Sequence, residues 1–66
     1  MSAKRLGMRL KQLRTQQGLT QVAVAKKVRV TQAYIALLEK GKQNPTLDVL
    51  ERLAKALKTT VAELVE

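Results

Sequence analysis

Leu19 to Lys42 reads LTQVAVAKKVRVTQAYIALLEKGK, and this stretch decides how the rest of the chain is read. Thr20 is an N-cap residue, and Gln21 opens a helix whose apolar positions Val24, Ala25 and Val28 fall on one face. That helix ends near Lys27 or Val28. Val30 anchors a tight turn, and Thr31 caps a second helix that runs to about Lys40, where Gly41 stops it. Ile35 and Leu38 form a thin apolar seam on this second helix, and its other faces are left for something else.

Working outward, Leu6, Leu10 and Leu13 repeat at helical spacing and predict a first helix over about residues 4–17, stopped by Gly18. Leu19 precedes the next cap and can pack back on the helix as a staple. After Lys42 the chain is loop, because Pro45 has no N–H and holds Asn44 extended. Thr46 caps a fourth helix with Asp48 at its positive end and a stripe of Leu47, Leu50, Leu53, Ala54 and Leu57. Thr60 and Glu63 have the spacing of a capping box for a short fifth helix, with Val61 and Leu64 inward. Strand signals, repeats and low-complexity segments are absent. The expected architecture is all-α, five helices in a single domain over residues 1–66.

Sixty-six residues bury little surface, so the core must be economical or shared with a partner. The chain has no cysteine and no histidine. Disulfides, zinc fingers and thiol chemistry are thereby excluded, and the commonest metal ligand and general base is missing. Five acids in no pocket-like constellation and the lack of a Gly-rich phosphate loop argue against an enzyme, and we expect no cofactor and no metal. No apolar run reaches the roughly 20 residues that span a membrane, and no apolar signal stretch follows the basic N-terminus. A reduced, intracellular setting with no membrane association is expected, and with no effector domain, regulation would come from concentration, dimerisation, proteolysis or a partner.

The charge is lopsided. Residues 1–42 hold ten Lys or Arg against one acid, Glu39, a balance of +9, whereas residues 43–66 hold three against four acids, a balance of −1. Solubility alone would not leave the C-terminal third nearly neutral. A basic excess confined to one part of the chain is the footprint of a polyanion-binding surface. Tyr34 is the only aromatic residue, which disfavours base stacking of the single-strand-binding kind. Two short helices joined by a tight turn inside this basic region have the order of a helix-turn-helix, whose second helix enters the major groove of duplex DNA.

With these residues in place the chain resembles the phage-repressor and Cro-like helix-turn-helix family, often called XRE. The resemblance covers about Leu6 to Val65 and rests on five linked segments: Leu-x-x-x-Leu-x-x-Leu-Arg ending at Arg14; Gly18-Leu19-Thr20-Gln21 followed by Thr31-Gln32; Leu38-Glu39-Lys40-Gly41; Asn44-Pro45-Thr46-Leu47; and Leu53-Ala54-Lys55-Ala56-Leu57. It implies a lambda-repressor-like DNA-binding domain and a bacterial or phage-encoded transcriptional regulator of the cytoplasm, placed at the nucleoid, acting as a repressor.

Roles follow from the resemblance residue by residue. Gln32 matches a base-reading position, from which a glutamine can bond bidentately to adenine, and Ala33, Ala36 and Leu37 match other groove-facing positions. Gln21 resembles the glutamine that contacts backbone phosphate. Lys40, Lys42 and Asn44 match a region that touches phosphate, and beside the resemblance Thr31 and Tyr34 are expected to complete the phosphate-contacting set. Arg14 and Glu39 match a structural ion pair between the first and third helices. Three readings stay open for Tyr34: phosphate bond, thymine packing or half-burial. Two stay open for Leu37, which either meets a thymine methyl or completes the seam with Ile35 and Leu38. Met8 reads as a surface residue or gap filler.

The chain departs from the family pattern at four positions. Arg29 and Lys58 stand where glycines are common, Leu37 replaces a polar or basic residue, and Val22 replaces an acid. A homodimer joined through the nearly neutral C-terminal region is expected, with Val49, Val61, Ala62 and Val65 as candidates for the shared surface. Two related readings carry the same DNA chemistry: an antitoxin that also neutralises a toxin, and a restriction-modification controller.

Overall fold

The computed structural model describes residues 1–66 and contains five α-helices: α1 Ala3–Gln16, α2 Gln21–Val28, α3 Gln32–Glu39, α4 Leu47–Ala56 and α5 Val61–Val65. One repeated device explains where they begin. Each is preceded by an extended hydroxyl residue (Ser2, Thr20, Thr31, Thr46, Thr60) whose side-chain oxygen accepts from the backbone N–H three positions on. Ser2 as the first of these was not expected, and it starts α1 one residue early. The box at Thr60 is half formed. Glu63 N–H donates to the Thr60 hydroxyl, while the Glu63 carboxylate accepts from that hydroxyl rather than reaching the backbone.

A second device explains where the helices end. α1 to α4 are each followed by one residue of left-handed conformation: Gly18, Arg29, Gly41 and Lys58, with φ of 69°, 66°, 73° and 57°. The N–H after each of these residues reaches back to a carbonyl of the last turn, as Val30 does to Ala25 at 3.0 Å and Lys42 to Leu37 at 3.0 Å. Arg29 and Lys58 hold this conformation without being glycine, at a cost of about 1 kcal/mol each. In return, the turn between α2 and α3 carries an exposed cation.

Thirteen apolar side chains form the core, with contributions from every helix. α3 packs on α1 and α2, α4 on α2, and α5 closes the far side against α1 and α4. Two expectations for α4 are corrected. Leu47, placed in the inward stripe, is 65 % exposed, and Val49, a candidate for a shared surface, is 8 % exposed and belongs to the protein's own core. Leu47 shares the azimuth of Ala54 but lies about two turns earlier, beyond the end of the packed layer. Val49 sits one turn before Leu53 on the same row and is covered with it. Leu13, Val61 and Val65 are half-buried at the margin of the core, and Met8 is a surface residue.

Gly7 marks a close approach of two helices that the sequence alone does not single out. A Cβ on Gly7 would lie 2.3 Å from the Leu38 carbonyl oxygen and 2.7 Å from that of Glu39. Gly7 is thus the point where α1 lies directly on the last turn of α3. A lone glycine inside a helical pattern was the available signal. Gly7→Ala is expected to destabilise the protein by about 1–3 kcal/mol through this overlap with backbone, against a gain of about 1 kcal/mol in helix propensity. Chemical denaturation decides between the two terms, and a stabilised variant would show that α1 and α3 separate easily.

Candidate nucleic-acid interface

α3 divides into two faces. Ile35 and Leu38 are fully buried. Gln32, Ala33, Leu37 and Lys40 are exposed and Ala36 is partly so, a spacing that makes one continuous outward stripe. Leu37 is 40 % exposed and lies outside the core cluster, so of its two readings the seam is removed. Tyr34 is half-buried and packs against the core, leaving part of its surface on the outward side. Thr31 is exposed and its hydroxyl accepts from Tyr34 N–H at 3.1 Å. The hydroxyl proton stays available to donate outward.

The acid of α3 does not share this outward face. Glu39 is turned inward, and its side chain is 4 % exposed. Arg14 donates to it through two nitrogens, Nε to Oε2 at 2.6 Å and Nη2 to Oε1 at 3.1 Å, and through Nη1 to the Leu19 carbonyl at 2.8 Å. This is the fork geometry that makes arginine–carboxylate pairs strong. The hydrogen bond with Glu39 raises the Arg14 pKa above its ordinary value; burial opposes the rise and the charge of Glu39 adds to it. One guanidinium therefore joins α1, the residue before the α2 cap, and α3.

Gln21 enters the same network. Its amide donates to Glu39 Oε1 at 3.1 Å, a link absent from the sequence reading. One amide hydrogen is thus spoken for, and the second remains for a phosphate. The network ties the start of α2, the position expected to grip the backbone, to the end of α3, the helix expected to read bases. Lys40, Lys42 and Asn44 are exposed around the loop that follows α3. A Cβ on Gly41 would lie 2.9 Å from Lys4 Cα, which places the exposed start of α1 beside this loop.

Pairing Arg14 with Glu39 leaves nine cations in residues 1–42 with no acid among them. The only other ion pair is local to α4, between Arg52 and Asp48. Two further side chains close helix ends and were not foreseen. Arg52 Nη1 donates to the Val28 carbonyl at 2.7 Å, tying α4 to the C-terminus of α2, and Gln17 Nε2 donates to the Leu57 carbonyl at 2.7 Å, tying α1 to the end of α4. Nothing in the local sequence marks either residue, because each partner is a distant backbone oxygen.

A helix-turn-helix whose second helix presents an outward face free of acids and ringed by cations defines a DNA-binding module. The helix-turn-helix family model HTH_3 matches residues 10–64. The immunity repressor of Bacillus phage phi105 is 38 % identical over 60 residues, spanning 91 % of this chain and 42 % of that protein. Among solved structures, the restriction-modification controller protein C.AhdI of Aeromonas hydrophila superposes with a TM-score of 0.90 at 34 % identity, covering 94 % of each chain. SinR, a Bacillus subtilis regulator of biofilm formation solved in complex with DNA, superposes with a TM-score of 0.87 at 31 % identity, covering 92 % of this chain and 98 % of that one. The chain belongs to the helix-turn-helix family of DNA-binding transcriptional regulators. It spans less than half the length of the phage repressor that it matches.

Proposed function

We propose that residues 1–66 act as one sequence-specific DNA-binding domain that represses transcription, as a two-fold homodimer on a pseudo-palindromic operator in the bacterial cytoplasm. The observation that carries this reading is the outward stripe of α3 with its acid withdrawn into the Arg14 pair. Cations neutralise phosphates and release counterions, and Gln21, Thr31, Tyr34, Lys40, Lys42 and Asn44 set the register on the backbone. Gln32, Ala33, Ala36 and Leu37 present the reading surface. Repression is occlusion of polymerase, with no catalytic step.

Replacing Gln32 by Ala should relax base choice at one position per half-site by about 1–3 kcal/mol. Replacing Gln21 by Ala should weaken all sites alike. Selection of bound sequences from random duplexes reads both variants. Identical selected motifs for the parent and Gln32→Ala would remove Gln32 from the reading surface.

One helix reads too few base pairs to find a single site in a genome, and a second copy doubles the site. With Val49 withdrawn into the core, the shared surface is proposed at Val61, Ala62 and Val65, on α5 in the nearly neutral part of the chain. Half-site centres should then lie about one helical turn, or a multiple of it, apart. Sedimentation with a selected duplex should give two protomers per site. A single protomer on a motif without two-fold symmetry would refute the dimer. The resemblance to C.AhdI favours restriction-modification control as the second reading, and an adjacent methyltransferase gene would support it. An antitoxin role would require a toxin-like protein partner.

A further inference from the structure

We propose that Leu37, flanked by Ala33 and Ala36, is a reading site for the C5-methyl group of pyrimidines in the major groove. This assignment rests on the DNA-binding reading and names what part of the reading surface recognises. Three observations carry it. Leu37 is 40 % exposed and outside the core, so the fold does not account for it. Ala33 and Ala36 lie one turn and one residue before it, both with small side chains, so the branched end of Leu37 projects from a low apolar floor. The same stripe ends in exposed Lys40, and its one acid, Glu39, is turned inward and neutralised by Arg14. The stripe is therefore apolar at its centre and cationic at its edge, which suits the floor of a groove walled by phosphates.

Gln32 is the only exposed side chain of α3 with both a donor and an acceptor for base edges. Discrimination at the other positions must come from shape and apolar contact. Among the groups that base pairs present in the major groove, the thymine C5-methyl is the apolar one. An apolar side chain meets the methyl and makes no use of the neighbouring exocyclic group, which is an acceptor in thymine and a donor in cytosine. The Leu37 contact is accordingly satisfied by 5-methylcytosine as well as by thymine. Methylation of cytosine at that base pair should then strengthen binding.

The test uses the intact protein on a duplex obtained by selection, so the base analogues leave the protein untouched. Each thymine is replaced in turn by deoxyuridine, which deletes the methyl alone. At one or two positions per half-site the parent protein should bind about fourfold more weakly, the value of one buried methyl. Leu37→Ala should show little further loss on the same duplexes, and Leu37→Met, which keeps an apolar end, should retain the discrimination. At those same base pairs a 5-methylcytosine duplex should bind more tightly than its cytosine counterpart by a similar factor, for the parent and not for Leu37→Ala. Salt-dependent binding that is indifferent to every deoxyuridine, or that loses as much in Leu37→Ala as in the parent, overturns the assignment alone. Failure of the parent to retain any duplex at low salt overturns the assignment together with the DNA-binding reading.

Discussion

Raising the salt concentration from about 50 to about 200 mM is expected to weaken duplex binding roughly five hundredfold per protomer. Nine uncompensated cations lie in residues 1–42, and those around α2, α3 and the following loop (Lys26, Lys27, Arg29, Lys40, Lys42) are all exposed. If about five phosphates are neutralised per protomer, the logarithm of affinity falls with the logarithm of salt at a slope of about −4.5. Arg14 does not enter this number, because its charge is spent on Glu39. Titrations at four or five salt concentrations read the slope directly. A slope near zero would mean that the basic surface faces something other than DNA. Replacing a single exposed lysine of this set by Ala should reduce the slope by about one without changing the selected motif.

Removing Glu39 should cost far more in stability than any exposed charge. Its carboxylate accepts three hydrogen bonds, two from Arg14 and one from Gln21, and both ends of the ion pair are shielded, at 12 % and 4 % side-chain exposure. Glu39→Ala leaves a guanidinium partly buried with the Leu19 carbonyl as its remaining partner. The expected loss is about 3 kcal/mol or more, a melting point lower by roughly 15 °C for a domain of this size. Thermal melting checks it, and a melting point equal to the parent's would class the pair with exposed pairs of little worth. Replacing Arg14 and Glu39 together by apolar residues should recover much of the loss, because no buried charge is then left unpaired. The pKa of Arg14 is raised on folding, so its contribution is fully present below its unfolded pKa. It is lost only as pH rises through the still higher folded value. Between about pH 7 and pH 10 this residue should add no slope to a plot of stability against pH.

Gln21 gives the pair a second consequence. Glu39→Ala removes the acceptor that holds the Gln21 amide, so the variant should also bind DNA more weakly at temperatures where it is fully folded. In the sequence the phosphate contact and the ion pair stand as separate features. Three side chains from α1, α2 and α3 meeting on one carboxylate make them one unit.

Helix positions were legible in the sequence because their signals are local. A hydroxyl N-cap and a left-handed stop residue act within one turn, so Thr20, Thr31 and Thr46 announce helix starts, and Gly18 and Gly41 announce ends, with no knowledge of the rest of the fold. Apolar periodicity likewise marked Leu6, Leu10, Ile35, Leu38 and Leu53 as buried, because azimuth around a helix follows from spacing alone. Azimuth does not say where along its axis a helix meets its neighbours. Leu47 was therefore placed inward although it lies beyond the end of the packed layer, whereas Val49 shares the row of Leu53 and its burial was readable from spacing.

Of the proposed DNA-facing residues, the sequence determined the set and the charge around it, through the order of α2, turn and α3 and the concentration of cations before residue 43. Tertiary structure decided three things. It turned Leu37 out to solvent and the Glu39 side chain inward onto Arg14, although the two are neighbours but one on the same short helix, because α1 and α2 cover one side of α3 and leave the other open. It brought Gln21 onto the Arg14–Glu39 pair: the resemblance implied the pair, but nothing over the 18 residues between Gln21 and Glu39 marked the third member. It set α1 so close to α3 that only Gly7 fits between them. Each of these depends on distances between helices, and a helix carries the pattern of its own faces but not the identity of what packs against them.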